Sequence, residues 1–364
     1  MTRHLYVHLP FCAQRCGYCD FVTVVGRGDQ HAAYVDALLA ELALESELLA
    51  PELETVFLGG GTPTFTEPRP LERLLNELPR AEEVTVEANP ETVTQELARL
   101  LRRYGVNRVS LGVQSFSPHL LEVLERVAHP DTVRRAYYHL RDAGFDNISF
   151  DLIYGIPGQG PADLEADLGE ALALAPEHLS CYELEAKPGT RFTHGHGAEL
   201  ARQAEAMESY FELVVEALTG GGYRWYETAN FCREGDRDLR SRHNLAYWLG
   251  RDYVGLGIGA VSTIVGNRWR NTPRLPAYMR ELAAGRRPAR ELEPLSTDVR
   301  MRERVMLGLR LDEPLAMHGL GAVLDQQALM RLERLGLVAR NNGSLALTAR
   351  GRMLGGGVTA DLLA

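Results

Sequence analysis

Lysine is almost absent from this chain: Lys187 stands alone among 39 basic residues, so arginine carries the positive charge. That bias reads as a GC-rich coding background rather than a functional signal. A basic surplus is missing as well. The 49 acidic residues leave a formal charge of −10, the opposite of what a general nucleic-acid binder carries, so nucleic acid is not an expected partner. No run approaches the roughly 18 apolar residues that span a bilayer. The opening MTRHLYVHLPFC lacks the apolar stretch and small-residue cleavage site of a secretory signal, and a cytoplasmic protein is expected. Low-complexity segments and internal repeats are absent, apart from an alternation of strands and helices. Cysteines number five, an odd count that does not suit a disulfide framework.

What is present is a globular composition, 45% hydrophobic over 364 residues, enough for two or three structural units. Six β-type runs punctuate the first half: Leu5 to Leu9, Thr55 to Leu58, Val84 to Glu87, Arg108 to Val113, Ile148 to Ile153 and Leu179 to Leu184. Amphipathic stretches lie between them. Val35, Leu38, Leu39 and Leu42 follow the i, i+3, i+4, i+7 rule, and 94–104, 131–143, 162–174 and 201–218 are similar. Strand alternating with helix predicts an α/β fold with a parallel sheet. Six units fall short of the eight that close a TIM barrel, so a partial (β/α)6 barrel is expected over 1–218. A mixed extension with a glycine-rich strand pair, VGLGIGAVSTIVG, should occupy 219–295 and pack against the barrel's open side. The order helix, helix, hairpin with an Asn-Gly turn, helix makes 296–364 winged-helix-like.

Each predicted strand runs into an unusual loop: PFCAQRCGYCDF, GGGTPT, ANPET, the QSF turn, YGIPGQ and EAKPGT. Parallel strands place all these loops at one end, the C-terminal face where such folds build sites. The first carries Cys12, Cys16 and Cys19 as C-x3-C-x2-C. Three thiolates can hold three irons of a [4Fe-4S] cluster and leave the fourth open. A structural zinc site would want a fourth ligand and commonly a second pair, which does not follow; His8 is a weak candidate for it. Cys181 and Cys232 read as buried small residues.

The run YVHLPFCAQRCGYCDF resembles the cluster loop of the radical S-adenosylmethionine (SAM) superfamily. More narrowly it resembles the branch holding the oxygen-independent coproporphyrinogen III oxidases and the HemW heme chaperones. GGGTPT, EANP, GVQSF, DLIYGIPGQ, YET, HNLAYW and LTARGRML follow in the family's order. The resemblance implies SAM bound to the open iron, with the backbone of Gly60, Gly61 and Thr62 close to its amino-acid end. It further implies Glu87 pairing with a cationic or hydroxyl-rich part of SAM, Tyr6 beside the cluster, and Gln114, Arg126 and Asp151 lining the nucleoside or second-substrate region. Phe21 stands where the oxidases carry a further cysteine, and only five residues precede Tyr6, which points to the chaperone side. There HNLAYW would bind heme, with His243 as axial ligand and Tyr247 and Trp248 as aromatic surface. His194 and His196, in a THGHG segment read as a flexible loop, are the next candidates. Two features depart from the pattern: Val261 replaces a histidine, and the RVAH run makes a family role for His129 doubtful. The expected activity is delivery of heme to a recipient hemoprotein, with a membrane-associated recipient and a homodimer allowed. The alternative is a radical oxidase acting on coproporphyrinogen.

Overall fold

The computed structural model describes residues 1–185 and 191–363, apart from the side chains of Arg191, His194 and Arg202. The EAKPGT loop therefore lies outside the described residues beyond Glu185. Six parallel strands form the first half: β1 (His4–Leu9), β2 (Leu53–Gly60), β3 (Ala81–Ala88), β4 (Arg108–Gln114), β5 (Ile148–Tyr154) and β6 (His178–Glu183). Helices α1 (His31–Glu45), α2 (Pro68–Glu77), α3 (Gln95–Arg103), α4 (Pro118–Val123), α5 (Pro130–Asp142) and α6 (Pro161–Leu174) connect them. Alternate residues of each strand face opposite ways. Leu5, Val7 and Leu9 of β1 join the main apolar core with Tyr34, Val35 and Leu38 of α1. The intervening residues are polar and pair with one another: His4 with Thr55, Ser110 with Asp151, Ser149 with His178. A polar interior survives burial because its groups are hydrogen-bonded.

Helices α7 (Arg191–Gln203) and α8 (Met207–Gly220) lead into the second half. THGHG is thus part of α7 and not a loop. Strands β7 (Tyr223–Glu227) and β8 (Asn230–Arg233) form a hairpin that extends the sheet antiparallel beyond β6. After α9 (Arg242–Trp248), strand β9 (Val254–Leu256) adds in parallel to the opposite edge beside β1. The extension therefore lengthens the barrel sheet at both edges, in the order β9-β1-β2-β3-β4-β5-β6-β8-β7. The expected strand pair separates for the same reason. Val254–Leu256 enters the barrel, whereas β10 (Val261–Ile264) pairs with β11 (Asn267–Asn271), which pairs with β12 (Arg290–Pro294) after α10 (Leu275–Ala283). Gly257 and Gly259, at φ 105° and 65°, make the turn between the two sheets.

Residues 297–363 hold α11 (Thr297–Gly308), α12 (Gln326–Arg334), a hairpin of β14 (Val338–Asn341) and β15 (Ser344–Leu347), with β13 (Leu315–Ala316) beside β15, then α13 (Ala349–Met353) and α14 (Gly355–Leu362). Asn342 and Gly343 turn the hairpin at φ 46° and 78°, as a two-residue turn of that hand requires. This unit has its own core, from Val305 to Leu362. No helix among the described residues is long and apolar enough to cross a membrane.

Candidate functional site

One cavity of about 590 Å³ opens at the C-terminal face of the sheet. Cys12, Cys16 and Cys19 line it, together with Gly60, Gly61, Thr62, Glu87, Gln114, Arg126 and Asp151. The cysteine loop is closed at its base by a short parallel pairing of Phe11–Cys12 with Val24–Val25. All five cysteines are free. Burial raises the Cys12 and Cys19 thiols, and the neighbouring thiols add to it. Against this, Thr62 Oγ1 donates to Cys12 Sγ at 3.5 Å, which favours the thiolate.

Asn89 ties the wall together. Its Nδ2 donates to Thr62 Oγ1 at 2.9 Å and its Oδ1 accepts from Arg126 Nη2 at 2.9 Å. Arg126 Nη1 in turn lies 3.8 Å from Cys16 Sγ. Two of the three sulfurs are thus joined through Thr62, Asn89 and Arg126. Asn89 belongs to the EANP run but was not singled out from sequence, because its role depends on β2 and α4 reaching the same wall. Among the described residues no three His, Cys, Asp or Glu side chains converge on one metal ion. A four-iron cluster does not ask for that, since each of the three thiolates would bind a different iron. Three free thiols on one wall, with Thr62 and Arg126 donating to two of them and the Phe21 backbone favouring the Cys19 thiolate, suit such a cluster. His8 is not a fourth ligand, since its Nε2 meets Val22 O at 2.8 Å and its Nδ1 meets Tyr6 Oη at 3.0 Å.

The glycines of this loop are also packed closely against the protein itself. A Cβ on Gly60, which has φ 111°, would come within 2.4 Å of the His8 ring; one on Gly61 would reach Pro10 at 2.5 Å; one on Gly59 would meet Glu87 at 2.8 Å. Their missing side chains admit the protein's own wall. Gly60 N–H donates to Glu87 Oε2 at 3.0 Å. Burial, and next the negative Asp151, push the Glu87 carboxyl up to about 7. Asp151 is raised by burial and held back by Arg108, Ser110 and Ser180. Arg108, 1% exposed, is a guanidinium inside the barrel that sequence reading passed over as the start of a strand. Gln114 takes φ 68° where β4 and β5 shift register, which turns it to the cavity. Tyr6 does not line the cavity. It lies a layer below, bonded to His8 and stacked on Phe57.

The HNLAYW segment lies elsewhere. His243, 1% exposed, plugs the N-terminal end of the barrel: its Nδ1 meets Thr55 Oγ1 at 2.7 Å and its Nε2 meets Tyr247 Oη at 2.9 Å. Burial, then His4 and Arg108, push its imidazole down to about 3, so it is neutral. Both ring nitrogens are engaged in this arrangement. Tyr247 packs edge-on against Tyr253. One face of the Trp248 ring is covered by the Arg310 guanidinium at 4.5 Å. His196 lies on α7 with its ring against Phe192.

Comparison with known proteins identifies two family regions: Radical SAM superfamily over residues 6–171 and HemN C-terminal domain over 295–354. Heme chaperone HemW of Mycobacterium tuberculosis is 37% identical over 99% of this chain and 94% of its own length. Heme chaperone HemW of Bacillus subtilis is 34% identical over 98% of both chains. Among solved structures, the coproporphyrinogen III oxidase HemN of Escherichia coli, described as a radical SAM enzyme, aligns with a TM-score of 0.82 and 25% identity over 98% of this chain and 89% of its own.

Proposed function

The chain belongs to the HemW family of radical SAM proteins, and we propose that it binds heme and passes it to a recipient hemoprotein, with a [4Fe-4S] cluster and SAM held at the cavity. The observation that carries the reading is similarity over nearly the whole length to proteins named as heme chaperones. Phe21, exposed on the cavity wall where oxidases carry another cysteine, argues against the oxidase reading.

Cys12, Cys16 and Cys19 would hold three irons, while Thr62 and Arg126 donate towards two of the sulfurs. Gly60 to Thr62 and Glu87 shape the wall for SAM, and Gln114 and Asp151 supply polar groups further along it. The chemistry supplied by the bound pair is one-electron reduction of SAM at an iron without a protein ligand. His243 is the heme-ligand candidate in this reading. To serve, its Nε2 must exchange the Tyr247 hydroxyl for iron, and the neutral imidazole that burial enforces is the ligating form.

Anaerobic reconstitution, heme titration and a coproporphyrinogen assay on one sample test the reading. About four irons per chain are expected, lost in Cys12→Ala, Cys16→Ala or Cys19→Ala and kept in Cys181→Ala and Cys232→Ala. About one heme should bind, with no conversion of coproporphyrinogen III to protoporphyrinogen IX. Robust turnover would establish the oxidase instead. A heme spectrum unchanged in His243→Ala would leave that histidine with its barrel-plugging role alone.

A further inference from the structure

The cavity has a second end, remote in strand order from the cysteine loop. Tyr154, Phe211 and Tyr182 give it an aromatic wall, with Tyr154 and Phe211 stacked at 6.5 Å and Tyr182 exposed. Thr228 and Ala229, between β7 and β8, form its edge, and Arg310 reaches it from the C-terminal unit.

Arg310 is held on three sides. Its Nε donates to Glu227 Oε1 at 2.6 Å, and Glu227, fully buried, is itself fixed by Ala229 N and Asn230 Nδ2. The Trp248 ring lies beneath the guanidinium at 4.5 Å. Its backbone is pinned by Leu309 and Leu311, both buried, by a bridge of Leu311 to Glu227, and by Asp312 N donating to Tyr226 O at 3.0 Å. Among the described residues one donor of the fork is used, while the side chain remains 37% exposed at the cavity. A guanidinium with its back fixed and its outer N–H groups open is preorganised for a bidentate oxyanion. The other arginines on the cavity wall stand by the cysteines: Arg126 bonds Asn89 and Gly112, and Arg15 bonds Cys19 O.

We propose that Arg310 anchors a carboxylate of the planar cargo, with Trp248 of HNLAYW serving as the plate that holds the guanidinium in place. The inference rests on the heme reading above but not on His243 as iron ligand. Heme fits it chemically: a flat apolar ring for the aromatic wall and acidic side chains for the fork. It also gives the C-terminal unit a part in binding. Glu183 and Glu185 line the same cavity, so a carboxylate entering there depends on Arg310 to offset them.

The test titrates the reconstituted protein with iron protoporphyrin IX and with its dimethyl ester, in which both carboxylates are masked, following the Soret band. The parent protein should prefer the diacid by about tenfold or more. Arg310→Gln should bind both porphyrins at the ester's affinity. So should the double variant Glu227→Gln with Arg310→Gln, which leaves no buried carboxylate unpaired if the single variant folds poorly. Arg310→Lys, with charge but no fork, should fall between. SAM affinity should be unchanged in Arg310→Gln. Loss of SAM binding with diacid preference intact would assign the guanidinium to SAM's own carboxylate and overturn the proposal. Diacid preference persisting in both Gln variants would also overturn it, with the heme reading left standing. Failure of the parent protein to bind either porphyrin would remove the heme reading and the proposal together.

Discussion

Gly60 and Gly105 both adopt a left-handed backbone, φ 111° and 86°, yet they differ in what surrounds them. Nothing lies within 4 Å of a Cβ added at Gly105, so Gly105→Ala should cost only the backbone strain, about 1–2 kcal/mol. At Gly60 the same Cβ meets the His8 ring at 2.4 Å, and that ring is fixed by Tyr6 and Val22. Overpacking adds to strain, so Gly60→Ala should lose about 3 kcal/mol or more in urea denaturation. Equal losses at the two sites would show that the His8 contact carries no weight. Sequence made the glycines and cysteines of this site legible because their spacing is local. Asn89, Arg108 and Arg310 were not legible, since each acts through partners on other elements: Thr62 and Arg126, Glu87 and Asp151, Glu227 and Trp248. His243 shows the converse. Its motif was conspicuous, but only the packing reveals that Thr55 and Tyr247 already occupy its nitrogens.

Among the elements, α1 is clasped to the second half by two buried carboxyls, Glu45, which bonds Arg287 and Arg290, and Glu41. Glu41 accepts from Gly257 N at 2.8 Å, Asn271 Nδ2 at 2.7 Å and Tyr278 Oη at 2.5 Å, joining α1 to the glycine turn, β11 and α10. Burial pushes its carboxyl up from 4.5 to about 7, although the three donors oppose the shift. A folded state that holds its proton more tightly than the unfolded chain loses stability as pH rises through that interval. Glu41 should therefore contribute most below about pH 4.5 and progressively less towards pH 7. Glu41→Gln has no such titration, so the stability gap between the two proteins should shift in favour of Gln as pH rises from 5 to 7.5. A gap independent of pH, measured by urea midpoints, would mean the clasp is ionised throughout. The six parallel strands were visible as short β-type runs, and α1, α3, α5 and α6 as periodic stretches. Helix α2 was missed because its opening Pro-Arg-Pro resembles a loop, although proline is tolerated in a helix's first turn. The divergence of Val254–Leu256 from β10 was unreadable too: nothing local says that β1 lacks a neighbour on its outer side.

At the scale of the whole molecule, the C-terminal unit meets the barrel through charged groups of unequal character. Arg224 donates twice to Asp312 and Arg240 to Glu313, and these pairs are partly exposed, with Arg224 at 40%. Solvent screens such contacts, so Asp312→Ala should cost about 1 kcal/mol or less. Arg352 of α13 is the opposite case. Its guanidinium lies 3.7 Å over the Trp225 ring, its Nη2 is buried without a hydrogen-bond partner among the described residues, and burial pushes its pKa down to about 10 against the pull of Asp312 and Glu227. The helix, helix, hairpin, helix order of this unit was readable from its periodicity and its Asn-Gly turn. Its docking was not, because Arg310, Asp312 and Arg352 find their partners on β7 and α9. A desolvated cation with incomplete pairing is a place where an apolar side chain of similar length does as well or better. Arg352→Met keeps contact with Trp225 and removes the unpaired donor, so it should leave stability unchanged or raise it by about 1–2 kcal/mol. The same variant should leave iron content and SAM affinity as they are, since Arg352 does not line the cavity. A loss above about 2 kcal/mol on urea unfolding would show instead that the charge itself, held between Asp312 and Glu227, fastens the C-terminal unit to the barrel.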